Sequence, residues 1–439
     1  MVNLLSFFNK ITQQKIMVIG DFMLDTYTIG KAARISPEAP VAVLQVEHEE
    51  RRPGGAGNVS LNLAALGAQV VAIGRVGKDN NGKILLDALT KEGIDVTGML
   101  IDSCFSTPVK NRVIADHQQL VRVDYEQVLP LHELLEQRII DMIPKSVDGV
   151  GFAAVSDYGK GLITPVVMQA MIEYSKKKGI PVLVDPKGID YRKYRGAHIL
   201  KPNLSEAYAA ANLPRTAPLE QVASHILKIS DAEIVMITRS EEGISLFFRN
   251  GDRKDFPVAI REVRDVTGAG DTVLAVVVYA LANGLPIEDA VHLSNLAAGI
   301  AVEKFGCTQI SLSELARRMA GQDVRNKVFD HSHFPALKEA LRERRSILLE
   351  ISGHEGLTTA ICIAIQTLAQ EEERDLVVYV RDCPPQKEVI RALASLNEVN
   401  YLVVNGKSLN CLIDFIQPDT VYRLEKGQLK SGLCGKPLV

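Results

Sequence analysis

The chain has 439 residues, 46% of them hydrophobic and 23% charged, an ordinary globular composition. At about 100–200 residues per domain, two or three domains are expected. The 50 Lys and Arg against 53 Asp and Glu leave a net charge of −3, which gives no support for bulk binding to nucleic acid or an anionic membrane but allows a local cationic pocket for a small anion.

Met1 to Lys15 is interrupted by Asn9, Lys10, Gln13 and Gln14, so it is expected as a first amphipathic helix and not an export signal. No stretch approaches the ~18 apolar residues of a membrane span. Six isolated cysteines (Cys104, Cys307, Cys362, Cys383, Cys411 and Cys434) form no C-x-x-C pair, which fits neither a zinc ribbon nor a thioredoxin motif. Unpaired thiols point to a reducing compartment, and the chain is expected to be cytoplasmic.

From Lys15 to about Gly306, short apolar runs alternate with helix-length segments. Ile16–Ile19 ends at Gly20-Asp21, Val150–Val155 at Ser156-Asp157, Pro181–Val184 at Asp185, His198–Leu200 at Lys201-Pro202-Asn203, and Ile234–Ile237 at Thr238-Arg239. Continuous apolar strands of this kind predict a parallel sheet covered on both faces. Ligands of such sheets sit beyond the carboxyl ends of the strands, where Asp21, Asp157, Asp185, Asn203 and Thr238 fall. Each alone reads as a helix cap; in series they read as a binding edge.

Two segments break this rhythm. Val41–His48 alternates apolar and polar residues. Pro108–Ile114 and Gln119–Tyr125 flank Ala115-Asp116-His117-Gln118 as in a hairpin. Half-buried antiparallel strands inserted in an α/β domain predict a lid or a dimerisation flap. Lys110 and Arg112 share one face of the hairpin and Arg122 lies on its return strand. They read either as cations facing a substrate or as solvated edge charges. The charge-rich, weakly periodic stretch from Arg317 to Arg345 reads as a linker helix. Beyond it Ile347–Ile351, Leu376–Val380 and Tyr401–Val404 alternate with helical segments, a second and smaller α/β unit.

The strongest chemical signal is Asp265-Val266-Thr267-Gly268-Ala269-Gly270-Asp271-Thr272 ahead of the apolar helical run Val273–Ala282. Small residues at a helix entrance let backbone N–H groups approach an anion, and the helix dipole adds partial positive charge. Asp271, one turn into the helix beside this cradle, is placed to take a proton from an attacking hydroxyl. It also reads, more plainly, as a first-turn carboxylate favoured by the dipole. A second glycine-rich element, Arg52-Pro53-Gly54-Gly55-Ala56-Gly57-Asn58, lets a polyol lie against the backbone, with Asn58 able to donate and accept. Gly20-Asp21-Phe22-Met23-Leu24-Asp25 adds two carboxylates suited to sugar hydroxyls. Gly77-Lys78-Asp79-Asn80-Asn81-Gly82-Lys83 fits a P-loop pattern, but Ile84 stands where a magnesium-holding Ser or Thr belongs, so it is rejected.

Gly54–Asn58 and Asp265–Thr272 resemble the two signatures of the ribokinase-like (PfkB) carbohydrate kinases. The resemblance covers about residues 10–318. It is strongest to the heptose-7-phosphate kinases of lipopolysaccharide-core biosynthesis, through the run Arg34-Ile35-Ser36-Pro37-Glu38-Ala39-Pro40-Val41 together with Ser156-Asp157-Tyr158-Gly159-Lys160-Gly161, Asp185-Pro186-Lys187-Gly188 and Lys201-Pro202-Asn203-Leu204-Ser205-Glu206. It implies a ribokinase-like three-layer α/β/α sandwich over 1–318, with β lid segments near 26–50 and 105–126. A linker (319–345) and a smaller Rossmann-like α/β domain (346–439) follow. It implies that Asp271 is the general base and that Gly268, Ala269 and Gly270 form the anion hole. Asn203, Leu204, Ser205 and Glu206 would serve the ATP phosphates, with Glu206 toward Mg²⁺. Thr238, Arg239, Ser240 and Gly243 would line the nucleotide site, and Asn295 would lie near the base. Asp21, Asp25, Arg34, Gly55 and Asn58 would hold the sugar, with Asp157 and Asp185 at the same edge. Lys110, Arg112, Arg122, Lys160 and Lys187 would be the cations for a phosphate the sugar already carries. ATP is the implied co-substrate. A monovalent cation and a homodimer built through the lid are further expectations.

The reaction implied is phosphorylation of D-glycero-β-D-manno-heptose 7-phosphate at the anomeric O1. The alternatives are another sugar or sugar phosphate, and a scaffold that binds without turnover. In bifunctional relatives an adenylyltransferase domain with an H-x-G-H motif follows the kinase. Here Leu349–Leu357 retains His354-x-Gly356 but has Leu357 at the second His position. That implies a degenerate transferase domain without activity.

Overall fold

The computed structural model describes residues 4–116, 118–258, 263–322, 324–354, 356–370, 373–381, 387–404 and 408–432. The chain forms two compact units. One is Thr12–Ile310; the other joins Met1–Ile11 to Ser311–Val439.

The larger unit is built on a nine-stranded sheet. In chain order its strands are β1 (Lys15–Gly20), β4 (Gln69–Gly77), β5 (Asp95–Asp102), β8 (Phe152–Ser156), β9 (Val182–Asp185), β10 (Ile199–Leu200), β11 (Ile234–Thr238), β12 (Ile244–Phe248) and β13 (Arg253–Phe256). A separate four-stranded sheet holds β2 (Phe22–Ile35), β3 (Ala42–Gly55), β6 (Val109–Ala115) and β7 (Gln118–Tyr125) in the order β3-β2-β6-β7. The large sheet runs β13-β12-β11-β10-β9-β8-β1-β4-β5, parallel except where β12 and β13 turn back at one edge. Its central strands are apolar throughout because helices cover both faces: Met17, Ile19, Ala153, Val155, Leu183 and Val235 are all completely buried.

Register explains the binding edge. Gly20 lies opposite Ser156, Ser156 opposite Asp185, Val184 opposite Leu200, and Asn203 bridges Thr238. The polar residues that close these strands therefore stand in one row. The four-stranded sheet is the expected lid. β2 leaves that edge directly after β1 and returns as β3 into the helix Ala56–Ala65.

The smaller unit has a six-stranded sheet: β14 (Val328–Phe329), β15 (Arg345–Ile351), β16 (Arg374–Val380), β17 (Tyr401–Val403), β18 (Thr420–Glu425) and β19 (Gln428–Gly432). Its order is β14-β17-β16-β15-β18-β19, and all pairs are parallel except β18–β19. The stretch 319–345, expected as a linker helix, includes β14 and the helix Phe334–Leu341, whose Phe334, Ala336, Leu337, Ala340 and Leu341 are buried. One expectation is corrected. The first residues form a short 3-10 turn, Leu4–Asn9, in place of a helix running to Lys15, because β1 already begins at Lys15. Leu5, Phe7 and Phe8 of that turn are buried, so this segment belongs to the smaller unit's core and not to the larger one.

Candidate active site

The helix Ala269–Ala282 enters from Gly268, whose φ of 77° is left-handed and free of strain only for glycine. Among the described residues no side chain caps this end. The amides of its first turn thus remain a cradle for an anion. Asp271 follows within that turn and is 3% exposed. Its Oδ2 accepts from Asn58 Nδ2 at 2.9 Å and its Oδ1 from the Tyr158 hydroxyl at 2.8 Å. Burial pushes the Asp271 carboxyl up to about 7; the bonds from Asn58 and Tyr158 pull against that, Asp185 adds to it and Lys201 opposes it. A buried carboxylate tuned to neutrality and held by two donors is equipped as a general base.

Asn58 reaches Asp271 because of the backbone before it. Gly55 has φ 56° and ψ −129° and starts the helix that carries Asn58. Asn62 Nδ2 donates to Asn58 Oδ1 at 3.2 Å, which turns the Asn58 amide nitrogen toward Asp271. A Cβ on Gly268 would lie 2.7 Å from Asn58 Nδ2 and 3.2 Å from Cys307 Sγ, so the two glycine-rich elements meet at one point.

The lid supplies the other wall. Strand alternation puts Asp25 and Tyr27 on one face, flanked by Lys110 and Arg112 of β6 and by Arg122 and Asp124 of β7. Asp25 is buried and pairs with Arg112 NH1 at 2.5 Å. Gly54 leaves the room: a Cβ there would sit 2.1 Å from Asp25 Oδ2. Cys307 Sγ donates to the same Oδ2 at 3.4 Å, and the Cys307 amide donates to the Tyr27 hydroxyl at 3.1 Å. Lys110 lies 5.3 Å from the Tyr158 ring centre. Burial lowers the Lys110 ammonium below its ordinary range, and the nearby Lys160 lowers it further. Lys160 is itself almost buried and pairs with Glu126 at 2.7 Å. Lys110 and Lys160 thus come together near Tyr158, with Arg112 on Asp25, an arrangement suited to an anionic group on a substrate.

On the opposite side, Asn203 and Glu206 form a capping box at the helix Leu204–Ala211. Glu206 Oε2 accepts from the Asn203 amide at 3.1 Å, and its Oε1 pairs with Lys187 at 2.8 Å. Lys201 is buried and pairs with Asp185 at 2.8 Å. Among the described residues no group of three or more His, Cys, Asp or Glu forms a metal cage. Glu206 and Asp185 fit a magnesium ion held mainly by phosphate oxygens and water, which needs only one or two carboxylates.

Several expected roles change. Asp21 is not free for a sugar: its oxygens accept from the amides of Tyr158, Lys160 and Leu162, so it shapes the turn that carries Tyr158. Asp157 is likewise engaged by Lys193 at 2.6 Å, the Tyr194 hydroxyl at 2.7 Å and the Gly159 amide. Arg34 is exposed near the far end of β2, nine residues beyond Asp25, or about 30 Å along an extended strand. It cannot reach the same chain's base. Lys187 stands with Glu206, not with the lid cations. Arg122 is half-exposed and paired with Asp124 on its own strand. Leu204 packs against the core, Ser205 Oγ accepts from Arg215, and the Arg239 guanidinium pairs with Glu242. Ser240 (φ 52°) and Gly243 (φ 84°) shape the turn after Thr238, and Asn295 Nδ2 donates to the Phe256 carbonyl.

Four residues of the site are given no role by the sequence, although Tyr158 and Lys201 stand within the family-like runs: Tyr27, Tyr158, Lys201 and Cys307. Tyr158 and Lys201 directly follow strand ends, so the rule that singled out Asp157 and Asn203 extends to them. Nothing in the local sequence marks Tyr27 or Cys307.

The sequence profile of the pfkB family of carbohydrate kinases matches residues 13–315. The chain belongs to that family. Among curated relatives, "Bifunctional protein HldE" of Trichlorobacter lovleyi is 46% identical over 312 residues, 71% of this chain and 64% of that protein's length. The protein of the same name from Pelobacter propionicus is 42% identical over 416 residues, covering 91% of this chain and 85% of its own. Arabidopsis thaliana ribokinase, solved with ribose and ATP, shares the fold with a TM-score of 0.55 at 18% identity, over 70% of this chain and 99% of that one. Escherichia coli phosphofructokinase-2 with substrates and products does so with a TM-score of 0.58 at 20% identity, over 69% and 97%. The larger unit is therefore ribokinase-like, and the C-terminal region is a further α/β unit with its own sheet. No helix among the described residues is long and apolar enough to cross a membrane.

Proposed function

We propose that the chain transfers the γ-phosphoryl group of ATP to the anomeric O1 of D-glycero-β-D-manno-heptose 7-phosphate, giving the 1,7-bisphosphate and ADP. The carrying observation is the Asp271 carboxylate, fixed by Asn58 and Tyr158 at the mouth of an uncapped helix and facing the cations of the lid. Asp271 takes the O1 proton as O1 bonds to phosphorus and the bond to the β,γ-bridging oxygen breaks. The first-turn amides stabilise the charge on the migrating group. Asp25, with Arg112, and Asn58 orient the sugar. Mg²⁺ near Glu206 and Asp185 would supply charge neutralisation on the phosphates. ATP consumption against a panel of phosphorylated and unphosphorylated sugars tests this; turnover of another sugar in preference to the heptose would replace the substrate, and no turnover with any sugar would favour a binding scaffold.

Lys110 and Lys160 are assigned to the phosphate the substrate already carries. Lys110→Met is expected to raise KM for the phosphorylated sugar about tenfold, the loss of one charge-assisted contact. It should leave kcat/KM for the unphosphorylated analogue unchanged. Equal losses on both substrates would remove that assignment. The Asp271 value gives a pH dependence. The base works ionised, so kcat/KM should fall about tenfold per unit as pH drops below about 7, and level off above it. A flat profile between pH 5 and 8 would contradict Asp271 as the base.

The outer face of the lid, opposite Asp25, exposes Val46, Val121 and Tyr125. It is the surface we assign to a homodimer. For the smaller unit we propose a transferase-derived scaffold without adenylyl transfer, on the strength of Leu357 following His354-x-Gly356. ADP-heptose formation from the 1-phosphate and ATP would overturn that.

A further inference from the structure

Resting on the kinase reading, we propose that Lys201 is a catalytic residue: its ammonium contacts the phosphoryl group in transit, and Asp185 holds it ready for the nucleotide. β9 and β10 are neighbours, and the Lys201 amide donates to the Val184 carbonyl at 2.8 Å. That places Asp185 and Lys201 side by side at the carboxyl edge of the sheet, where ligands of such folds bind. The ammonium is 2.8 Å from Asp185 Oδ2, and among the described residues Asp185 is its only ion-pair partner. On its other side is the anion cradle: a Cβ built on Gly270 would lie 3.8 Å from Lys201 Nζ. Asn58 approaches the same helix entrance from the Gly268 side. An anion seated on these amides would thus have the ammonium at one flank and Asp271 within its turn.

The energetics favour a functional reason for the pair. A buried ion pair gains little net stability, since desolvation offsets the attraction. An ammonium has three donors, and one carboxylate leaves it capacity for phosphate oxygens. Lys201 forms and breaks no covalent bond. Its charge offsets the negative charge on the oxygens of the migrating group while O1–P forms and the P–O bond to ADP breaks. Its field also eases ionisation of Asp271.

Lys201→Met should lower kcat at least ~100-fold, the typical loss for one transition-state donor, with the sugar KM within about threefold, as expected for contacts confined to the transferring group. The acid limb of the pH profile should move to higher pH, a shift that a packing role would not produce. Turnover within threefold of wild type would overturn the proposal. A second measurement needs no turnover: calorimetric binding of MgATP and MgADP. Wild type should prefer ATP, and Lys201→Met should shrink that preference about tenfold, one charge-assisted contact. The double variant Lys201→Met/Asp185→Asn leaves no unpaired charge and must show at least the same loss, since Asp185 also faces Mg²⁺; it guards against misfolding of the single one. If wild type turns over no sugar yet the preference collapses in the variants, the kinase reading fails and the Lys201 contact stands. An unchanged preference means Lys201 does not touch the γ-phosphate.

Discussion

Asp271→Asn is expected to lower kcat by roughly 10²–10⁴-fold, the range general-base catalysis supplies, while raising thermal stability. The carboxyl titrates near 7 when folded and near 3.8 when unfolded. Its folded value is raised, so the unfolded chain gives up this proton first and stability falls as pH rises between the two values. The penalty is about 4 kcal/mol at pH 8 and about 2 kcal/mol at pH 5. The introduced amide offers one oxygen to two donors, Asn58 and Tyr158, and the one left over costs about 1–3 kcal/mol. A gain of roughly 1–3 kcal/mol should remain at pH 8 and fade toward pH 5. Thermal unfolding at both pH values, with steady-state kinetics, checks the pair of effects. Wild-type turnover in this variant would dismiss Asp271 as the base; a stability gain independent of pH would show that its charge is not what burial penalises.

Gly55→Ala should be strongly damaging. The added Cβ would lie 2.6 Å from the Asp21 carbonyl oxygen and 2.9 Å from Met23 Cε, at φ 56° and ψ −129°. Backbone strain of about 1–3 kcal/mol and overpacking of about 1–3 kcal/mol add to several kcal/mol. Relief requires the start of the helix Ala56–Ala65 to shift. That carries Asn58 away from Asp271 and should cost ~100-fold or more in kcat, as displacements near 1 Å do. Gly299→Ala is the control. It lies within the helix Ile287–Val302, and among the described residues its new Cβ would meet nothing within 4 Å. It should gain up to about 1 kcal/mol. Denaturant unfolding of both variants, read beside turnover, separates a backbone requirement from a general intolerance of alanine. Equal stability and equal turnover in the two would refute the argument.

Arg34 and Asp21 show how far motif spacing carries. Both stand in segments that resemble the family's sugar-binding runs, and both have charges suited to a sugar. Arg34 is displaced because β2 continues along the lid, and a strand moves a side chain about 3.3 Å per residue whatever its chemistry. Asp21 is claimed by three backbone amides that would otherwise be unsatisfied in the turn after β8. Lys201 is the reverse case. It stands at a strand end and within a run shared with the family, yet neither gives it a role, and only the register of β9 and β10 brings it to Gly270.

The amino-acid order alone settles the alternation of apolar runs and helices, hence the parallel sheet, because continuous burial on both faces demands continuous hydrophobicity. It also places the polar strand ends, the two glycine-rich entrances and Asp271. What folding decides is which polar groups remain available to a ligand. Asp271, Asn58, Tyr158 and Lys110 come from four distant segments, and their protonation and hydrogen bonding follow from the partners and the burial they acquire there. Those are properties of neighbourhood in space, which the spacing of residues along the chain does not contain.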